Sequence, residues 1–297
     1  MEQLSSLLQF VLSGATSGAI YTLVAVGIVL CASATNVINF AQGEFVMLGG
    51  LVGASLALAG VPIPLAILAA AAMGAVIAAL QERVTVNPVR KAAAFIQITV
   101  TLGVAVCIRG MALLVWGKDP YGMSGFSGNG VVEFAGVYIP TQAFWVWIAA
   151  AILIGGTFWF LARTRTGRAI RAVSINPTAA RLMGVNTTMV SLIVFAVGGA
   201  MGGLAGVFIA PISTVSWETG LEYSVKGFTA AIIGGLKNPG RTALVAMAIG
   251  ITESLATAYI SSGSKDIVTY GALLVYLLVR GGVFARGRRP VEANDQH

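Results

Sequence analysis

The stretch Met189-VSLIVFAVGGAMGGLAGVFI-Ala210 decides the fold. It carries no ionisable side chain, and it reaches the roughly 20 residues that a helix needs to cross the hydrocarbon core of a bilayer. Gly198, Gly202 and Gly206 recur every fourth residue along it, with Gly199 and Gly203 on the neighbouring row. Between helices in lipid the hydrophobic drive is missing. Rows of small residues let backbones approach so that van der Waals contact holds them together. Gly14 and Gly18 repeat the spacing near the start of the chain. Packing within the chain is the main expectation for these rows, and a subunit interface is the alternative.

The rest of the chain agrees with this stretch. Of its 297 residues 57% are hydrophobic and 10% charged, with a mean hydropathy of +0.87. A soluble domain carries about 25% charged residues, so most of this chain has no means of facing water. Further apolar segments lie at 7–30, 45–58 with the preceding 36–44, 64–80, 95–116, 143–161, 225–236, 243–259 and 267–279. The expected fold is an all-α polytopic membrane protein with about eight to nine transmembrane helices. The segment at 225–236 is short enough to be re-entrant or broken. A single transmembrane domain is expected over 1–285, followed by a basic and polar tail at 286–297.

Lysine and arginine placement orients the bundle. Arg83, Arg90 and Lys91 fall between the third and fourth segments, and only Lys118 before the fifth. Arg163, Arg165, Arg168, Arg171 and Arg181 follow it, and then only Lys226. Next come Lys237 and Arg241, then Lys265 alone, then Arg280, Arg286, Arg288 and Arg289. Rich and poor loops alternate. The positive-inside rule puts the rich ones in the cytoplasm, with the N-terminus outside and the C-terminus inside. The net charge of +7 is therefore an orientation signal and implies no nucleic acid. His297 is the sole histidine, which removes histidine-based metal or catalytic chemistry from the fold, and Cys31 and Cys107 lie in apolar stretches. No metal site is expected. Glu2 and the lack of a basic flank argue against a cleaved signal peptide.

Polar groups within spans are costly and mark function by default. The densest run is Asn36-Val-Ile-Asn39-Phe-Ala-Gln42-Gly43-Glu44. Read as helix, it places Asn36, Asn39, Gly43 and Met47 on one stripe, with Glu44 at its edge and Gln42 pointing away. That face would line a polar cavity, while Gln42 and Glu44 tie down different neighbours. The alternative is a helix start capped by Asn36 or Asn39. Glu82, Arg109 and Glu253 are further intramembrane charges, and Arg109 needs a partner such as Glu44 or Glu253. Lys226 and Lys265 are flanked by loop-like sequence, which leaves no plausible nucleophile–base pair for an intramembrane enzyme.

The long basic loop at 163–188 holds a capped unit. Asn176 reads as an N-cap, Pro177 as the first helical residue and Gly184 as the left-handed residue past the end. Ala180 and Arg181 sit between the caps, and Ala179, Leu182 and Met183 form a small apolar face. A rigid two-turn helix of this kind suits docking into another protein. Lying on lipid headgroups is the alternative.

Three of these stretches together resemble one family. Asn36-Val-Ile-Asn-Phe-Ala-Gln-Gly-Glu44 is similar to the signature of the branched-chain amino acid ABC transporter permeases. The stretches Gly167-Arg-Ala-Ile-Arg-Ala-Val and Asn176 to Gly184 resemble the coupling segment of that family, and Lys226-Gly-Phe228 through Leu236 resembles its third marker. Gln42 departs from the family pattern, which often has histidine there. The resemblance implies an ABC importer permease in a bacterial inner membrane, moving branched-chain amino acids, amides or urea. It implies a homologous second permease subunit, two ATP-binding subunits and an extracytoplasmic solute-binding protein as partners. The chain has no G-x-x-x-x-G-K-[ST] loop, so no cofactor is expected on it, and ATP and magnesium belong to the partner subunits. Residues 176–184 would couple to the ATPase. Asn36, Asn39, Gln42, Gly43 and Glu44, with Lys226 and Phe228, would line or gate the route. Segments 36–58 and 225–236 share Gly-Gly-Leu51 and Gly-Gly-Leu236 endings, the mark of a weak internal repeat. A secondary transporter or channel is the alternative, although such a protein would carry more ionisable residues in its spans.

Overall fold

The computed structural model describes residues 2–134, 136–261 and 263–287. The elements run α1 (Glu2–Thr35), α2 (Gln42–Leu58), α3 (Ile63–Gln81), a π-helical turn (Glu82–Val86), α4 (Asn87–Val89) and α5 (Ala94–Trp116). A hairpin of β1 (Val131–Phe134) and β2 (Val137–Pro140) leads into α6 (Thr141–Arg163), α7 (Arg165–Ile175) and α8 (Pro177–Leu182). The chain closes with α9 (Thr187–Ile209), α10 (Thr219–Gly234), α11 (Pro239–Tyr259) and α12 (Ser264–Gly287). Among the described residues six helices are long and apolar enough to cross a membrane: Ser5–Thr35, Ile63–Val89, Ala94–Trp116, Thr141–Arg163, Thr187–Ile209 and Pro239–Tyr259. The three other segments read from the sequence are helical too, as α2, α10 and α12. The 286–297 tail falls outside the described residues from position 288 onward.

Glycine sets the distances between these helices. A Cβ on Gly206 would meet the Val46 carbonyl and Gly50 amide of α2, and one on Gly202 would meet Phe45. Gly199 and Gly203 lie against Gly74 and Ala70 of α3, and Gly198 against Gly27 and Cys31 of α1. Both rows of α9 are thus consumed within the chain, and the subunit-interface alternative fails for them. Gly14 and Gly18 pack on Ile251, Gly250 and Met247 of α11 in the same way.

These contacts repeat a pattern. α1 runs antiparallel to α11, as α9 does to α3, and each pair closes on glycines. α2 lies parallel beside α9, as α10 does beside α1, where Gly227 packs on Val24 and Ile28. α1 and α9 are themselves antiparallel, with Gly27 opposite Gly198. Two corresponding halves, α1–α3 and α9–α11, therefore pass each other in opposite directions. The repeat glimpsed in 36–58 and 225–236 corresponds to α2 and α10.

Outside this core stand α5, α6 and α12. A Cβ at Gly103 or Gly110 of α5, Gly155 or Gly156 of α6, or Gly271 of α12 would meet nothing within 4 Å. The β1–β2 hairpin was not anticipated. Val131 pairs with Pro140 and Phe134 with Val137. Gly136 turns the chain at φ +76, a left-handed conformation that favours glycine. Gln9 seats the hairpin on α1, donating to the Tyr138 carbonyl at 2.7 Å and accepting from its amide at 2.8 Å.

Candidate functional site

The helical stripe expected at 36–44 does not form, because α1 stops at Thr35 and helix resumes only at Gln42. Asn36 is exposed and takes φ 56, the left-handed conformation past a helix end that asparagine tolerates. Its amide still reaches the Ala32 carbonyl at 2.9 Å. Val37, Asn39 and Ala41 are fully buried although their backbone is irregular. Such backbone survives at membrane depth only where protein groups satisfy it. Here Asn39 Oδ1 accepts from the Ala41 amide at 3.1 Å and from Gln81 Nε2 at 2.8 Å, while Asn39 Nδ2 donates to Gln81 Oε1 at 3.2 Å. Asn39 therefore tethers the turn but does not cap α2, whose N-cap is Ala41 without a side-chain bond, so neither the stripe nor the cap forms as expected.

Gln42 then lies beside Gly27 of α1, eight residues before the end of that helix. At 1.5 Å per residue the chain has doubled back by roughly 10 Å before α2 begins. Gln42 Nε2 donates to the Gly198 carbonyl of α9 at 2.7 Å. Glu44, two residues on, faces the other way and pairs with Arg109 of α5 at 2.5 Å. The two side chains tie down different neighbours, and of the candidate partners for Arg109 the fold selects Glu44.

α2 crosses α10 at Gly43. A Cβ there would strike the Gly220 carbonyl and the Ser224 amide, so only glycine permits this approach. Gly43 N donates to Ser224 Oγ at 2.9 Å, and Ser224 Oγ donates to the Phe40 carbonyl at 3.1 Å. Phe40 and the half-buried Phe228 meet at a tilt of 47° with centroids 4.8 Å apart. α10 is also preceded by an irregular segment, exposed for much of its length, whose buried Val215 exchanges both backbone bonds with Tyr121 at 2.8 and 2.7 Å. Two interrupted helices thus cross inside the bundle, the arrangement by which transporters build sites near the midplane.

Lys226 corrects its expected setting. It is not in a loop but in the middle of α10, with no exposed surface. Its ammonium reaches Glu222 at 2.6 Å, Tyr21 Oη at 3.2 Å and Glu253 at 3.4 Å. Tyr21 donates to Glu253 at 2.7 Å, and Thr269 of α12 bonds the other oxygen of that carboxylate. Lys265 is not a free loop charge either, since it pairs with Glu222 at 3.1 Å. Burial forces this clustering, since a lone charge in a span would be costly. Glu82, in the π-helical turn, is likewise buried and pairs with Arg90 at 2.8 Å.

Of the seven residues expected on the route, the crossing unites Gly43, Glu44 and Phe228, while Asn39 and Gln42 flank it, bonded to α3 and α9. Lys226 faces α1, α11 and α12 instead, and Asn36 caps α1. The sequence reading missed Ser224, Gln81 and Tyr21. Gln81 carried a signal, as an amide in an apolar span; Ser224 and Tyr21 carried none. A cavity of about 540 Å³ lined by Gln9, Thr16, Asn129 and Gln142 contains none of the expected residues.

The basic loop folds as expected. Asn176 Oδ1 accepts from the Thr178 and Ala179 amides, both at 3.0 Å. Gly184 takes φ +83, and Val185 N reaches the Ala180 carbonyl at 3.0 Å, which closes a Schellman motif. The helix ends at Leu182, with Met183 as its C-cap. Ala180 is the residue that packs inward, Ala179 faces outward, and Arg181 is clipped to Thr187 at 3.0 Å. Ile175, Leu182 and Met183 stand out at 86%, 85% and 85% exposure.

Opposed halves, interrupted helices and several membrane-length spans define a polytopic permease. Comparison with known proteins carries this further: residues 10–279 match the family described as branched-chain amino acid transport system / permease component, and the chain belongs to that family. It is 31% identical over 292 residues to the high-affinity branched-chain amino acid transport system permease protein LivH of Escherichia coli (strain K12), covering 94% of this chain and 95% of the relative. It is 26% identical over 294 residues to the corresponding BraD protein of Pseudomonas aeruginosa, covering 94% and 96%. A ribose import permease protein, RbsC of Escherichia coli (strain K12), is 28% identical over 260 residues, covering 82% and 77%. As an ABC transporter permease with these apolar helices, the chain is a multi-pass protein of the inner membrane.

Proposed function

We propose that the chain forms half of the translocation route of an ATP-driven importer for branched-chain amino acids or related small polar solutes such as amides and urea. About eight to nine helices, drawn from α1, α2, α3, α5, α6, α9, α10, α11 and α12, cross the membrane, with α10 short enough to be re-entrant, the N-terminus outside and the C-terminus in the cytoplasm. A homologous second permease completes the route, two ATP-binding subunits drive it, and an extracytoplasmic solute-binding protein delivers the solute. The observation that carries this reading is α8. It is capped at both ends, held on the bundle by Ala180 and Arg181, and presents Leu182 and Met183 outward beside the exposed Ile175. Rigid apolar knobs on the arginine-rich side suit a cleft in an ATPase. ATPase motion enters through α7 and α8 and reaches the crossing of α2 and α10, where Asn39, Gln42, Gly43, Glu44 and Phe228 form the gate. Lys226 braces α10 from behind.

Co-purification tests this reading. An ATPase subunit should accompany the chain and be lost in Ala180→Pro, where proline removes the amide that reaches the Asn176 carbonyl at 3.0 Å. Retention of the ATPase by that variant would sink the assignment of α8. The cluster around Lys226 gives a second reading some support, because buried ionisable groups are what a secondary transporter uses for ion coupling. Uptake that persists without the ATPase and collapses with an ionophore would favour it.

A further inference from the structure

We infer that Arg109 faces the translocation route and receives the carboxylate of an α-amino acid, with Glu44 holding the guanidinium in position. The inference rests on the permease reading above and adds the residue that meets the solute. Arg109 lies 15 residues after Ala94 and seven before Trp116, the two ends of α5, so it is well inside the span. Its side chain is 20% exposed, while its partner Glu44 is 1% exposed. A guanidinium open to the outside at that depth cannot face hydrocarbon, because charged groups in spans face protein or a water-filled cavity. α5 supplies a matching surface. Val106, Met111 and Leu114 are exposed, and Gly103 and Gly110 have no neighbours within 4 Å. By that cost alone the open side of Arg109 is assigned to the route and not to lipid.

The hydrogen-bond inventory says what Arg109 has to offer. A guanidinium has five N–H donors in a planar fork suited to carboxylates. Here Nη2 is spent on Glu44 Oε1, and Nε is buried without a partner among the described residues. Glu44 is the anchor and not the binding group, since Oε2 is pressed against Gly220 in the first turn of α10. Lys226, a cation with no exposed surface, is enclosed by Glu222, Tyr21 and Glu253. Arg109 thus combines a fixed charge, unspent donors and an open side in the middle of a span. Because Glu44 also touches α10 at the crossing of the interrupted helices, a carboxylate on Arg109 would sense the gate directly.

The test uses the complete transporter in proteoliposomes, with Arg109 retained and Val106→Cys, one turn away on α5 and exposed, in a Cys107→Ser background. Cys31 is fully buried and does not interfere. A cationic, membrane-impermeant methanethiosulfonate should label position 106 with ATP or without it, and saturating leucine should slow labelling at least fivefold. Leucinamide, with the same side chain and no carboxylate, should leave the rate unchanged. No labelling in either nucleotide state, or equal protection by leucine and leucinamide, would overturn the inference. Adding Arg109→Gln with Glu44→Gln, which removes the guanidinium without orphaning the carboxylate, should abolish the protection by leucine, and protection that persists would also overturn it. ATP-dependent uptake by the unmodified transporter is measured alongside. Its absence would count against the permease reading itself, whereas labelling bears on Arg109 alone.

Discussion

Replacing one glycine at a time by alanine separates packing from helix propensity. Alanine is favoured over glycine in a helix by about 0.8–1.0 kcal/mol wherever it is placed. At Gly155 of α6 that gain stands alone, since a Cβ meets nothing within 4 Å. At Gly206 of α9 the same Cβ collides with the Val46 carbonyl and the Gly50 amide. Both are backbone atoms, so no rotamer change relieves the contact, and α2 must move off α9. Overpacking of this kind costs about 1–3 kcal/mol. The propensity gain cancels between the sites, leaving Gly206→Ala about 1–3 kcal/mol less stable than Gly155→Ala. The purified chain in mixed micelles, unfolded by titrating sodium dodecyl sulfate and followed by helical circular dichroism, measures the difference. Midpoints that shift equally in the two variants would refute the reasoning, because glycine would then serve α9 only as a weak helix former. Gly206→Val should lose more than Gly206→Ala in the same titration.

Other substitutions test the remaining contacts. Lys226→Met leaves Glu253 buried with no cation as close as Lys226, a loss on the order of 3–5 kcal/mol for a buried pair in a soluble protein. In a membrane the expected loss is smaller because the unfolded reference also finds partners. Adding Glu253→Leu should restore much of the stability, and a double variant no better than the single one would contradict the pairing. Asn39→Leu orphans Gln81 and frees the Ala41 amide, so uptake should fall with membrane abundance held near normal. Unimpaired uptake would reduce the 36–41 turn to packing. Asn176→Ala removes two 3.0 Å cap bonds, worth about 1 kcal/mol, and should weaken ATPase retention without abolishing it, as read by co-purification.

Local chemistry explains which features were readable in advance. The caps of α8 involve residues no more than five apart in sequence, so Asn176, Pro177 and Gly184 announced them before any fold was known. The glycine rows of α9 were equally plain, because small residues at four-residue spacing have one use in an apolar helix. The composition of the 36–44 run fits an amphipathic stripe, yet its backbone is not helical before Gln42. The break after Thr35 comes from burial, since Gln81 from α3 and Gly198 from α9 supply bonds that a continuous helix would not need. Lys226 looked like a loop charge because sequence carries no sign of Tyr21, Glu253 and Thr269 converging on it.

Sequence alone thus determined that the chain lives in lipid, which segments are helical, how tightly they pack and where a docking helix is capped. Each of these depends on solvation or on contacts within a turn or two. Tertiary structure decided which charges neutralise each other, and that is a matter of partners far apart in the chain. Glu44 takes Arg109, 65 residues away, and Glu253 takes Lys226, with Tyr21, 232 residues from Glu253, donating a hydrogen bond to the same carboxylate. In a medium that offers no water to a charge, the pairing is compulsory, but only the packed helices determine with whom.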